Sequence, residues 1–293
     1  MSERTDVYQE VTDRVLAALD AGTVPWRQPW ITANGRPRSM STRQNYRGVN
    51  VMMLGMSGHA SAWWGTYRQI AELGGQVRKR ERSTMITFWK ELSVTRSDEI
   101  TGEPTAHRVP MLRAFRVFCA DQADGLPERF YPQPGAAAEP LAGPQAVADA
   151  YLASGKPALH HDVHGQAYYR SDLDEIHMAP MDGHRSAADY YSTLFHEMAH
   201  STGHASRLAR DLGNVFGSHA YGKEELAAEM AAAMLQAETG ISAETEQNSA
   251  SYIAGWADQI RADRKLVISA AAAGQRAADL ILSPQAETEA GPR

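Results

Sequence analysis

The sequence predicts an α+β chain of two domains, and three observations carry that expectation. First, the charge is divided. Residues 26–116 hold 15 Lys or Arg against 6 Asp or Glu, a net of +9, while the remainder holds 14 against 29, a net of −15. Five of the six tryptophans (Trp26, Trp30, Trp63, Trp64, Trp89) fall in the basic stretch, so the two halves are expected to meet different partners. Second, residues 132–144 are rich in Pro, Gly and Ala, the composition of a linker. Third, the acidic half contains His196-Glu197-Met-Ala-His200 inside a helical pattern. The boundaries that follow are 1–130, a linker over 131–144, and 145–293.

In the first half, Val7, Val11, Val15, Leu16 and Leu19 predict a helix over 6–21. Pro25-Trp26-Arg27-Gln28-Pro29-Trp30 is rigid and extended, because each proline fixes its own φ and restricts its predecessor. Arg43-Gln-Asn45-Tyr46-Arg47-Gly48-Val49-Asn50 leads into a helical run through Leu54, and a short helix starts near Thr66-Tyr67-Arg68 and stops at Gly74-Gly75. Strands are expected at 76–80 and 85–90 around a charged turn, and at 112–118, with a polar loop over 96–108. Arginines interleaved with aromatics suit a phosphate backbone and stacked bases of single-stranded nucleic acid. The candidates are Trp26, Trp30, Arg43, Tyr46, Arg47, Asn50, Tyr67, Arg68, Arg78, Lys79, Arg80 and Lys90. Phe88, Phe115 and Phe118 are read as structural. No helix-turn-helix, zinc finger or phosphate-binding glycine loop is present, so sequence-specific readout is not indicated.

In the second half, a helix near 145–154 and strands at 158–160, 167–169 and 175–178 precede two strong helices. Ser186 supplies an N-cap and Asp189 an acidic first turn for the helix bearing His196 and His200. Residues four apart share a helix face, so both imidazoles can point at one metal ion, with Glu197 placed to take a proton from a bound water. Gly203 sits where a left-handed helix terminator is wanted. A metzincin would have histidine at position 206, but the residue is Ser206; His204 is out of register with that pattern. In the next helix, Glu225-Leu-Ala-Ala228-Glu229 resembles the Glu-x-x-Ser/Ala-Asp motif of gluzincin metallopeptidases. That resemblance implies Glu225 as third ligand and Glu229 as the carboxylate orienting a ligating histidine. Glu224 projects about 100° away on the helix and is the neighbour set aside. Ile176-His177-Met178 is the expected edge strand for pairing with an extended peptide. His160, His161, His164, His177 and His184 crowd this region and are read as surface or strand-face residues rather than a second metal site.

The lone cysteine, Cys119, excludes an intramolecular disulfide and a cysteine-based zinc site. The N-terminus reads as an amphipathic helix rather than a signal peptide, and no run of about 18 apolar residues exists. A cytoplasmic protein with no membrane partner is expected.

Several motifs occur together in order: Pro25-Trp26-x-x-Pro29-Trp30, Tyr46-Arg47-Gly48-Val49-Asn50, Thr66-Tyr67-Arg68-Gln69, Gly74-Gly75-Gln76-Val77-Arg78-Lys79, Asp174-x-Ile176, the His196–His204 segment with Arg207-Leu208-x-Arg210, and Glu224-Glu225-Leu-x-Ala-Glu229. Nearly the whole chain thereby resembles the ArdC-type antirestriction proteins of conjugative plasmids. The resemblance implies a single-stranded-DNA-binding α+β domain followed by a zincin-like, gluzincin-type metallopeptidase domain that holds Zn2+ or another divalent metal such as Mn2+. It further implies protection of incoming DNA from host restriction during conjugation. Implied partners are single-stranded DNA, double-stranded DNA without sequence specificity, and a host protein substrate. Tyr221 and His204 are the candidates for stabilising an oxyanion. Two other readings stay open: a regulatory metalloprotease whose basic domain binds protein, and a DNA shield with a structural metal. Arg80 stands where members of the family usually carry glycine, a change expected to alter the local turn.

Overall fold

The computed structural model describes residues 6–27, 35–97, 104–131, 143–153, 157–212, 219–241 and 250–283. Asp6 caps α1 (Val7–Asp20) by accepting from the backbone N–H groups of Tyr8 and Gln9. The stripe Val11, Val15, Leu19 is buried. It packs against α7 (Ala250–Ala262) and α8 (Leu266–Leu282), the last helices among the described residues. Trp26, in the 3-10 turn Pro25–Arg27, is fully buried and meets Trp256 of α7 edge to face, with ring centroids 5.6 Å apart. One hydrophobic core therefore runs from α1 to α8, across the division expected from composition. Of the expected linker, residues 132–142 lie outside the described residues.

The N-terminal sheet has the order β1 (Arg38–Ser39), β2 (Trp63–Gly65), β5 (Pro104–Cys119), β4 (Thr84–Ser97). The loop expected over 96–108 is mostly strand. β4 runs to Ser97 and β5 resumes at Pro104, because the antiparallel ladder continues through polar residues, which periodicity reads as loop. β3 (Gln76–Val77) pairs with β6 (Ala123–Asp124) rather than with β4. The turn between β3 and β4 holds Arg80 at φ +72, a left-handed conformation that glycine adopts freely and that costs an arginine about 1 kcal/mol. Two helices pack near this sheet. α2 (Val49–Gly55) is buried over six of its residues, and α3 (Tyr67–Glu72) begins with a Thr66/Gln69 capping box.

The C-terminal half opens with α4 (Pro144–Leu152) and a small sheet in the order β7 (Ala158–His160), β9 (Glu175–His177), β8 (Tyr168–Arg170). β9 is central, parallel to β7 and antiparallel to β8, so both of its edges are occupied. Residues 176–178 therefore cannot be the peptide-pairing edge expected from sequence. Among the described strands of this sheet, β8 is the antiparallel edge, and it lies against the helix carrying His196. That helix, α5 (Ala187–Ser201), starts at Ser186, whose side chain accepts from Asp189 N–H. α6 (His219–Thr239) is enclosed on nearly every side, with Leu226, Ala227, Ala228, Met230, Ala231 and Leu235 all buried. α8 approaches it closely at Gly274, where a Cβ would stand 2.8 Å from the Ala227 carbonyl oxygen.

Because Trp26 fills the joint between α1 and α7, Trp26→Ala is expected to lower global stability by about 3–5 kcal/mol. Urea unfolding should show this as a reduced midpoint in a single transition, spanning both halves of the chain.

Candidate metal centre

One turn of α5 brings His196 and His200 together with their Nε2 atoms 3.0 Å apart. α6 crosses beside them and presents Glu225, whose carboxylate oxygens stand 3.4 Å from His200 Nε2 and 3.7 Å from His196 Nε2. Tetrahedral ligands at metal bonds of about 2.0–2.1 Å are spaced roughly 3.4 Å from one another. The donor set and its spacing thus fit a divalent ion, and the three expected ligands form a group whose ligand atoms all lie within 4.8 Å. Glu197, buried at 6% exposure, occupies the same turn of α5. His204 is not part of the group; its Nδ1 is held by the Ser206 hydroxyl and backbone N–H at 2.8 and 3.1 Å.

Beside His200 stands a carboxylate that the motif does not supply. His200 Nδ1 lies 3.2 Å from Glu224, which is buried and gripped through both oxygens by Arg210 at 2.9 and 2.7 Å. Glu229, one turn further along α6, accepts from the Tyr252 hydroxyl at 2.9 Å. The physical reason is that an imidazole's two nitrogens point in different directions. Consecutive glutamates about 100° apart on α6 can therefore address the two nitrogens of the one ring, Glu225 facing Nε2 and Glu224 facing Nδ1.

Arg210 also donates to Thr202 Oγ1 at 2.6 Å and to the Ala199 carbonyl at 2.8 Å, closing the C-terminus of α5. Arg207 performs a parallel task. It donates to the Ser201 carbonyl at 2.8 Å and pairs with Asp174 beside β9, whose carboxylate also accepts from Tyr169 at 2.7 Å. Gly203 is needed for space rather than handedness. It is not among the left-handed glycines, but a Cβ there would fall 2.3 Å from Leu212 and 3.1 Å from both Arg210 and the His200 carbonyl.

Charge reinforces the geometry. Burial opposes protonation of His200, yet its hydrogen bonds to Glu224 and Glu225 and the nearby Glu197 prevail, and its pKa is pushed up to about 10. Burial works against ionised Glu225, but His200 and His196 hold it below the usual carboxylate range. Tyr221 is raised by burial and by Glu225, to which its hydroxyl is hydrogen-bonded, so this oxyanion candidate does face the site. A cluster this rich in carboxylates favours a cation among them.

The N-terminal candidates separate into two sets. Trp26 (0% exposed), Tyr46 (7%) and Asn50 (7%) are buried and cannot stack bases or touch phosphates as expected. Asn50 instead donates to the Thr87 carbonyl at 2.8 Å and accepts from its N–H at 2.7 Å, fastening α2 to β4. Trp30 lies outside the described residues. Arg43, Arg47, Tyr67, Arg68, Arg78, Lys79, Arg80 and Lys90 are exposed. Of these, Arg47 pairs with Asp279, Arg68 with Glu72, and Arg78 with Glu81 and Asp124. Phe88 (48% exposed), Trp89 (56%) and Phe115 (44%) are the aromatics that sequence reasoning missed. Phe88 and Trp89 are consecutive in β4 and must face opposite sides, so exposure of both means the hairpin is solvated on two faces there. Exposed Arg113 is Phe88's cross-strand partner, and Phe88 and Phe115 meet edge to face at 5.8 Å.

Comparison with known proteins agrees with both halves. Residues 5–118 match the N-terminal domain of the anti-restriction factor ArdC, and residues 146–273 match a zincin-like metallopeptidase. The crystal structure of the antirestriction protein ArdC from the R388 plasmid, in its metal-free form, superposes with a TM-score of 0.75 at 40% identity, covering 94% of this chain and 96% of that one. The chain belongs to the ArdC family. An Mn(II)-bound structure of the R388 ArdC matches with a TM-score of 0.74 at 38% identity, covering 94% and 97% of the two chains. Protein y4eC of Sinorhizobium fredii, uncharacterised, is 35% identical over 97% of this chain and 94% of its own length. A DNA primase TraC of Escherichia coli is 36% identical over 94% of this chain, which spans only 27% of that longer protein. The ArdC family and its zincin-like domain imply a divalent metal, which the donor set described above fits.

Because a metal must displace the His200 proton, affinity should climb about tenfold per pH unit between pH 7 and 9 and level off near pH 10. Calorimetric titration with Zn2+ at pH 7.5, in buffers of different ionisation enthalpy, is expected to report about one proton released from this residue per ion bound.

Proposed function

We propose that the chain is an antirestriction protein that binds single-stranded DNA and carries a metal-dependent peptidase centre, protecting incoming plasmid DNA in the cytoplasm of a recipient cell. The observation that carries the reading is the union, in one chain, of the His196, His200, Glu225 cluster with Glu197 and a basic surface bearing solvated aromatics. His196, His200 and Glu225 are the proposed ligands, with Zn2+ the preferred ion and Mn2+ the alternative. When bound, the ion supplies Lewis acidity that makes a water nucleophilic near neutral pH. Glu197 is the proposed general base, accepting that water's proton and delivering it to the leaving amine. Glu224 fixes the tautomer and orientation of His200 through Nδ1. Tyr221, hydrogen-bonded to Glu225, is the side chain best situated to donate to a developing oxyanion. The β8 edge offers backbone groups for an extended peptide of a host protein substrate.

Zn2+ affinity of Glu197→Gln is expected to stay within about threefold of wild type while peptide hydrolysis falls by at least 10^3-fold. Turnover at the wild-type rate would remove Glu197 from the chemistry. Scoring the same variant for restriction protection distinguishes a peptidase-dependent mechanism from a passive DNA shield.

For DNA, the proposed contacts are the exposed basic residues Arg43, Lys79, Arg80 and Lys90, with Phe88, Phe115 and Trp89 as stacking surfaces. Removing two stacked aromatics costs about 1–3 kcal/mol each. Phe88→Ala with Phe115→Ala should therefore weaken oligonucleotide binding at least tenfold without changing its salt slope. Lys79→Ala should instead lower the slope by about one unit. Fluorescence anisotropy across a salt series reads both.

A further inference from the structure

Away from the candidate metal centre, the antiparallel pairing of β2 with β5 sets Cys119 opposite Trp64 in the N-terminal sheet. Cys119 is the only cysteine of the chain and is fully buried. Its thiol donates to the Ser61 carbonyl at 3.4 Å. Beyond it the chain enters the 3-10 turn Ala120–Gln122, which carries Asp121. The Asp121 carboxylate accepts from the backbone N–H groups of Ala60 and Ser61 at 2.6 and 3.0 Å, both through Oδ2. These bonds draw the loop before β2 onto the end of β5, and His59 is the side chain that the loop delivers there. One ligand atom from each of His59, Cys119 and Asp121 then lies within 4.8 Å of the other two. The three candidate ligands of the first centre meet the same spacing.

Each of the three has capacity left for an ion. A carboxylate offers about four lone-pair positions, and the two N–H groups on Asp121 occupy one oxygen. His59 is half-buried; its ring stands edge-on to Trp64 at 5.6 Å and has no hydrogen-bond partner among the described residues. Burial pushes the Cys119 thiol up to about 12, and the charge of Asp121 adds to that. An ion bound between them reverses the balance, because it stabilises the thiolate and neutralises the carboxylate.

We propose that His59, Cys119 and Asp121 form a second metal site, which takes a thiophilic divalent ion of the Zn2+ type. One sulfur, one imidazole and one carboxylate favour such an ion over Mg2+ or Ca2+, which prefer all-oxygen shells. On binding, the S–H bond breaks, the proton leaves to solvent and a sulfur–metal bond replaces it. The thiol gives up its bond to the Ser61 carbonyl in the same step. His59 and Asp121 are only half-buried, so ion and proton exchange on their side, where water completes the coordination. The ion staples the loop before β2 to the turn after β5 and so stabilises the basic half. A single cysteine excludes a site built from cysteines alone. Strand pairing supplies companions that lie far from it in sequence.

The test uses the full chain, stripped of metal, held under a thiol-free reductant and titrated with Co2+ as a spectroscopic substitute for Zn2+. Cys119 is the sole cysteine, so a thiolate-to-cobalt charge-transfer band in the near ultraviolet reports this site alone. The His196, His200, Glu225 cluster contains no sulfur and gives no such band. The band is expected in wild type, and it should persist in His196→Ala with His200→Ala. Cys119→Ser should abolish it, and His59→Gln should weaken the Co2+ affinity read from it by at least about tenfold. Circular dichroism confirms the fold of each variant. No sulfur band in folded wild type at saturating Co2+, or an unchanged titration in folded His59→Gln, would overturn the proposal.

Discussion

The close approach of α8 to α6 at Gly274 is the constraint on which the rest of the molecule depends. A side chain there would strike the backbone of α6 at both the Ala227 carbonyl and the Ala231 nitrogen. With the two helices in backbone contact, α6 is fixed along its length, and the position of Glu224 and Glu225 against α5 follows. The far side of α8 is equally committed. Gln275 accepts from the Gly48 N–H at 2.9 Å and from Arg36 at 3.2 Å, while Asp279 pairs with Arg47. The Tyr46-Arg47-Gly48-Val49-Asn50 motif is thus a clasp that joins the sheet of the basic half to the helix supporting the metal centre. Its end residue, Asn50, holds β4 itself through Thr87.

The candidate centre is held by a chain of charge. Arg210 ties the end of α5 to Glu224, Glu224 orients His200, and His200 faces Glu225. Each of these groups is expensive to bury alone, and each is matched by the next. The one excess is negative charge around His200, which a divalent ion neutralises. Arg207 and Asp174 repeat the device on the other side, tying the small sheet to the C-terminus of α5.

How much of this was legible depended on distance along the chain. His196, His200 and Glu197 were readable because their relation is one turn of helix, and Ser186 because a cap acts within three residues. Glu225 was readable as part of a local motif. The role of Glu224 was not, because it arises from where His200 Nδ1 points after two helices pack. Trp26, Tyr46 and Asn50 had the composition of a nucleic-acid surface, but α7 meets Trp26 and β4 meets Tyr46 and Asn50, and those partners come from elsewhere in the sequence. Phe88 and Phe115 failed in the opposite sense: strand aromatics suggest core, but among the described residues both stay nearly half exposed on the hairpin. The order β7-β9-β8 was likewise invisible, since strand order follows from tertiary packing rather than from the alternation within any one strand.

His196, His200 and Glu225 are proposed to hold a single ion whose geometry is set by Glu224 and Arg210. The most direct measurement is an anomalous difference map from crystals grown with Zn2+, collected on both sides of the metal edge. A strong peak is expected between the two Nε2 atoms and the Glu225 carboxylate, with Glu224 still on His200 Nδ1. A peak ligated by His204 or by Glu224 in place of Glu225, or no peak within this cluster, would contradict it.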